Sequence, residues 1–100
     1  MAIVEVTITP LGTGTPSVSH YVAEVHKVLE QAPETLKYQL TPMSTIIEGE
    51  LQDILSVIQR MHEVPFEKGA LRVSTSIKID DRRDKKASME QKLKSVQEKL

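Results

Sequence analysis

The 100-residue chain has no cysteine, which removes disulfides, cysteine-based zinc sites and thiol nucleophiles together. It has no excess of one charge either. Thirteen basic residues against fourteen acidic ones leave −1, too little positive charge for a binder that works by neutralising phosphates. No apolar run approaches the length of a membrane span, and no basic stretch followed by an apolar one opens the chain. The expected setting is therefore cytoplasmic, without nucleic acid or membrane as a partner. What remains, 39% hydrophobic and 27% charged residues, fits one globular domain with a single core and little area to spare.

Glycine is scarce, with four in all, and two of them fall in one stretch, Pro10-Leu11-Gly12-Thr13-Gly14-Thr15-Pro16-Ser17-Val18-Ser19. Two of the five prolines and four hydroxyl side chains lie there too. A connector that only turned the chain would not need so many hydrogen-bonding groups, and loops held on rigid elements are where binding residues gather. The helix expected after it begins with free backbone N–H groups aimed back at the loop, an arrangement suited to a carboxylate, a phosphate or a polar ring.

Periodicity predicts the elements. Ala2 to Thr9 alternates, with Val4, Val6 and Ile8 on one side and Glu5, Thr7 and Thr9 on the other, as a half-buried strand does. Val18 to Ala32 has apolar residues at helical spacing, with Ser17 as candidate cap, and Pro33 ends it. Leu36, Tyr38 and Leu40 alternate again, Thr41-Pro42 turns the chain, and Met43 to Gly49 returns as the second arm of a hairpin. Leu51 to His62 is a second helix, broken by Val64-Pro65-Phe66 and Lys68-Gly69. Leu71 to Ile79 is then the longest strand.

Strand, helix, strand, strand, helix, strand in two echoing halves predicts an α+β fold, the ferredoxin-like βαββαβ sandwich with an extra C-terminal helix. Both helices cover one sheet face. The other carries Glu5, Thr7, Thr9, Lys37, Gln39, Ser44, Ile46, Glu48, Arg72, Ser74, Ser76 and Lys78. An open face of this kind often packs on a second sheet, which predicts an oligomer. Residues 1–81 form the ligand-binding domain on this reading, and 82–100 a charged hinge and amphipathic helix. The run Asp80-Asp81-Arg82-Arg83-Asp84-Lys85-Lys86 is nearly balanced in sign and reads as solvated rather than as a nucleic-acid contact. Ser88-Met89-Glu90-Gln91 resembles a capping box. Met89, Leu93, Val96 and Leu100 make a narrow stripe that docks either on a neighbouring subunit or on its own domain.

The phrases Pro10-Leu11-Gly12-Thr13-Gly14-Thr15-Pro16-Ser17-Val18-Ser19-His20-Tyr21-Val22 and Tyr38-Gln39-Leu40-Thr41-Pro42-Met43-Ser44-Thr45-Ile46-Ile47-Glu48-Gly49 resemble the two signature segments of the small thiamine-binding, YkoF-like family. The resemblance runs from the N-terminus to about Asp81. It implies a ferredoxin-like subunit, assembly through sheet faces into dimers and tetramers, and binding of thiamine or its hydroxymethylpyrimidine part without catalysis. A single-domain chain is then expected as a homotetramer, a dimer of dimers, with no cofactor and no metal.

An aminopyrimidine offers an exocyclic amine donor beside ring-nitrogen acceptors, and thiamine adds a cationic thiazolium. The amine asks for a carboxylate or carbonyl, the ring nitrogens for hydroxyl or N–H donors. Gly12, Thr13, Thr15, Ser17 and Ser19 from the opening loop and Met43, Ser44, Thr45 and Glu48 from the hairpin are the candidate ligand-binding residues. Glu48 in a central strand needs a partner, either the ligand or a salt bridge to Arg72 or Lys78. The loop hydroxyls either meet a ligand or cap the first helix. Gly12-Thr13-Gly14 is no phosphate loop, because no Gly-Lys-Ser/Thr follows. His20, His26 and His62 lack metal-ligand spacing and read as surface or packing residues. Ser17 or Ser19 beside His20 lacks the third group a nucleophile needs. Met43 and Tyr38 read as core before they read as a stacking platform. Two other functions stay open: an oligomeric interaction module with no small ligand, and an enzyme acting on a small anionic metabolite at the first helix terminus.

Overall fold

Alternating β-branched residues at the N-terminus form strand β1, Ala2–Leu11, with Ala2, Val4 and Val6 buried beneath the helices. The computed structural model describes residues 1–12, 19–84 and 89–100. Helix α1 spans Ser19–Gln31 and stops two residues short of Pro33, which cannot continue a helix. Strand β2, Lys37–Leu40, and strand β3, Thr45–Gly49, make the central hairpin. Helix α2, Leu51–Glu67, buries Ile54, Val57, Ile58, Met61 and Val64 at helical spacing. Strand β4, Arg72–Asp81, and helix α3, Met89–Lys99, complete the chain.

The sheet order is β2-β3-β1-β4, with every neighbour antiparallel, so the expected α+β, ferredoxin-like arrangement with a C-terminal helix is the fold observed. Val4 sits opposite both Ile47 and Ile79, which fixes one face for the core. Burying side chains the size of Ile47 and Ile54 contributes about 1.5–3 kcal/mol each. Glu5, Ile46, Glu48 and Lys78 fall on the opposite face, as the alternation predicts.

Three boundaries differ from expectation. Helix α2 does not break at Val64-Pro65-Phe66 but runs through Pro65 to Glu67. Pro65 lies in the last turn, where few ladder bonds follow it. Its buried ring packs into the domain, and its carbonyl accepts from the Ala70 N–H at 2.9 Å. The stop is Gly69, at φ +102°. Strand β3 begins at Thr45 rather than Met43, because Met43 and Ser44 belong to a turn closed by Thr41. The Thr41 hydroxyl donates to the Ser44 carbonyl at 2.8 Å and accepts from the Ser44 N–H at 3.0 Å. Strand β4 takes in Asp80 and Asp81 from the charged run and equals β1 in length rather than exceeding it. Beyond it, Arg83 bonds back to Asp81 and Arg82 to Asp84. The proposed caps Ser17 and Ser88 lie outside the described residues.

Helix α3 crosses the open face at one end of the sheet. Lys92 pairs with Asp80 of β4, while Met89 and Leu93 share a groove with Leu36 to Gln39 around β2. The row beneath it is Lys37, Glu48, Ile3 and Asp80. No α3 side chain is buried in the domain, and Leu93 and Val96 are each 58% exposed.

Candidate functional site

Strand β3 pairs with β1 only over Ala2–Val6, whereas β4 pairs with it as far as Leu11. Among the described residues, β1 therefore has no strand paired to its β3 side from Thr7 onward. Alternate backbone N–H and C=O groups there face away from β4. The Thr41–Ser44 turn hangs opposite this edge and α1 roofs it. Between them lies a cavity of about 190 Å³, with Val6, Ile8, Val22, Val25 and Met61 as apolar walls and Thr7, Thr9, Ser44, Thr45 and His26 as polar groups. That volume is small against the roughly 300–1,000 Å³ of drug-sized sites, and suits one ring with an open side for the rest of a molecule.

The polar groups differ in freedom. The hydroxyls of Thr41 and Ser44 lie 3.2 Å apart and serve the turn. Those of Thr9 and Thr45 have no protein partner among the described residues. His26 is the most informative. Its ring meets Tyr38 edge-on at 5.3 Å, and its Nε2 lies 3.5 Å from a Glu30 carboxylate oxygen. Its Nδ1 is buried without a hydrogen-bond partner among the described residues. In the neutral ring, a proton on Nε2 facing Glu30 leaves Nδ1 an unmade acceptor, and a buried acceptor left unmade costs about 1–3 kcal/mol. A donor that met Nδ1 after a turn of the ring toward the cavity would remove that cost.

The structure gathers only part of the sequence-derived set. Ser44 and Thr45 line the cavity, and Met43 stands at its rim. Met43 is 84% exposed, a correction to its reading as core, because it projects from the turn rather than from a strand. Gly12 closes β1 at φ +72° and does not line the cavity. Thr13, Thr15 and Ser17 lie outside the described residues; Ser19 opens α1, and its side chain lies outside them as well. Glu48 points to the other face, only 3% exposed beneath α3, and does not line the cavity. Among the described residues no salt bridge joins it to Arg72 or Lys78. Strand β1 lies between it and β4, and its cross-strand neighbours are Ile3 and Lys37. His26 was read as a surface or packing residue. Its position one turn after Val22 and next to Val25, on the face of α1 turned to the core, was the available signal. Among the described residues no cluster of His, Asp and Glu could hold a metal ion, and no helix is long and apolar enough to cross a membrane.

Comparison with known proteins extends these observations. A family model described as "Thiamine-binding protein" matches residues 4–97. The chain is 62% identical to the UPF0045 protein YqgV of Bacillus subtilis (strain 168), covering all of this chain and 98% of that one. It is 37% identical to a UPF0045 protein of Methanothermobacter thermautotrophicus, covering the whole of both. The solved structure of the hypothetical protein MJ1052 from Methanocaldococcus jannaschii superposes with a TM-score of 0.84 at 38% identity, covering 97% of this chain and 96% of that one. A Thermotoga maritima protein, provisionally described as a thiamine biosynthesis/salvage protein, shares the fold at a TM-score of 0.76 and 18% identity, covering 95% and 97%.

Proposed function

This chain belongs to the thiamine-binding protein family, and on that premise we propose that it binds thiamine, or the hydroxymethylpyrimidine half of it, and releases it unchanged. The observation that carries the reading is a ring-sized, largely apolar cavity lined by His26, whose buried Nδ1 has no hydrogen-bond partner among the described residues. An aminopyrimidine has the matching pattern. Its flat faces lie against Val22, Val25 and Ile8, a ring nitrogen accepts from the Thr45 hydroxyl, and its exocyclic amine donates to the His26 ring as that ring turns toward the guest. The thiazolium half leaves by the open side, past Met43. His26 thus takes the role that the sequence assigned to Glu48.

The assembly proposed with this function is a homotetramer in which the polar sheet face and the α3 stripe supply contacts. The exposure of Leu93 and Val96 on a helix that buries nothing in its own domain supports that part. Isothermal titration with thiamine and with hydroxymethylpyrimidine tests the function. Both should bind at one site per chain, with the pyrimidine supplying most of the heat. Absence of binding by both at millimolar concentration would remove the proposal.

A further inference from the structure

Three of the four arginines pair with carboxylates: Arg60 with Glu34, Arg82 with Asp84 and Arg83 with Asp81. Arg72, exposed at the start of β4, has no ion pair or hydrogen bond among the described residues. It stands on the open face at the end away from α3, where Leu11 is opposite Arg72, Thr9 opposite Ser74 and Thr7 opposite Ser76. Four hydroxyls thus share this end of the face with one uncommitted guanidinium. The Thr7 hydroxyl donates to the Met43 carbonyl at 3.5 Å, while those of Thr9, Ser74 and Ser76 have no protein partner among the described residues. Thr7 and Thr9 also line the cavity, so the hydroxyl patch starts at the cavity wall. Charge here has one sign. No acidic residue occurs in residues 6–23, 38–47 or 72–79. The Glu24 carboxylate, further along α1, is engaged by Lys27 and Lys68. Lys78 faces Glu5 across the strands and lies two residues from Asp80, which offsets its charge, whereas Arg72 has no such neighbour.

We propose that the site takes the phosphate monoester of hydroxymethylpyrimidine, with the ring in the cavity and the phosphate on the open face. The phosphate accepts from the hydroxyls of Thr9 and Ser74 and from the Arg72 guanidinium. This rests on the cavity binding the pyrimidine, and it names the form bound best. The methylene that carries the thiazolium in thiamine carries the phosphate in the ester, so the phosphate leaves the cavity by the same open side. Opposed residues on antiparallel strands lie about 4.5–5.5 Å apart between Cα atoms, which lets Thr9 and Ser74 meet one phosphate together. The planar guanidinium fork matches two phosphate oxygens. Thiamine brings a cation to a mouth that offers no carboxylate; the ester brings an anion to one that offers an arginine.

Titration calorimetry at low salt with free hydroxymethylpyrimidine, its phosphate monoester and inorganic phosphate tests this. The ester should bind roughly tenfold tighter than the free pyrimidine, as hydrogen bonds to a charged group allow. Arg72→Gln should erase that preference and leave the affinity for the free pyrimidine unchanged. Added salt should shrink the preference, because the contact is exposed. If the free pyrimidine binds and the ester binds no tighter, this inference falls and the function of the cavity stands; if neither binds, both fall. Equal weakening of the two ligands by Arg72→Gln, or inorganic phosphate binding as tightly as the ester, would also overturn it.

Discussion

His26 touches three things that rarely coincide: an aromatic edge, a carboxylate and a cavity. Tyr38 meets the ring edge-on and Glu30 lies beside Nε2, so in the neutral ring with its proton on Nε2 the other nitrogen is an acceptor. His26→Phe keeps the ring and its contact with Tyr38 but deletes the acceptor. A neutral hydrogen bond contributes about 0.5–1.5 kcal/mol, so thiamine affinity should fall roughly 2- to 12-fold in this variant while the thermal midpoint holds or rises. Glu48→Gln is the control for site. Under α3 on the opposite face, it should leave affinity unchanged. A titration in which Glu48→Gln weakens binding and His26→Phe does not would transfer the site to the other face of the sheet.

At the scale of elements, α3 is the least anchored part of the described chain. Its charged tie to the sheet is Lys92 on Asp80, and the hydrogen bond from Lys92, with its charge, holds the Asp80 carboxyl below the usual carboxylate range. A group whose pKa is depressed on folding stabilises the folded arrangement above its unfolded value and loses that contribution as pH falls through the folded one. Helix α3 should therefore stay tied to the sheet at neutral pH and release under strong acid, below the ordinary range for aspartate. Amide exchange of Met89 to Lys99 against that of α2 measures this. Exchange in α3 that ignores pH between 2 and 5 would contradict it. Salt should weaken the tie as well, because the pair is exposed.

For the whole molecule, the layer order, the hairpin and both core helices were legible in alternation and helical spacing, because those patterns record which side chains meet the core. Pro65 misled because a proline in a last turn costs little, and local punctuation does not reveal that its ring is buried. The burial of Glu48 was hidden for another reason. Its face was read correctly, but the cover that α3 throws across one row of that face depends on a path no local pattern encodes. The cavity was half legible. Ser44, Thr45 and Met43 stood out as a polar hairpin, yet Thr7, Thr9 and His26 join them only because β3 stops pairing at Val6, and strand register is a long-range property.

The central claim is that a ring-sized guest enters between residues 7–9 of β1, the Thr41 turn and α1. Recording backbone and side-chain resonances of the chain during titration with hydroxymethylpyrimidine tests this most directly. The account predicts saturable shifts at Val6 to Thr9, Val22 to His26 and Thr41 to Thr45, with the largest side-chain change on the His26 ring. Saturable shifts centred instead on Ile3, Lys37, Glu48 and Met89 would contradict it.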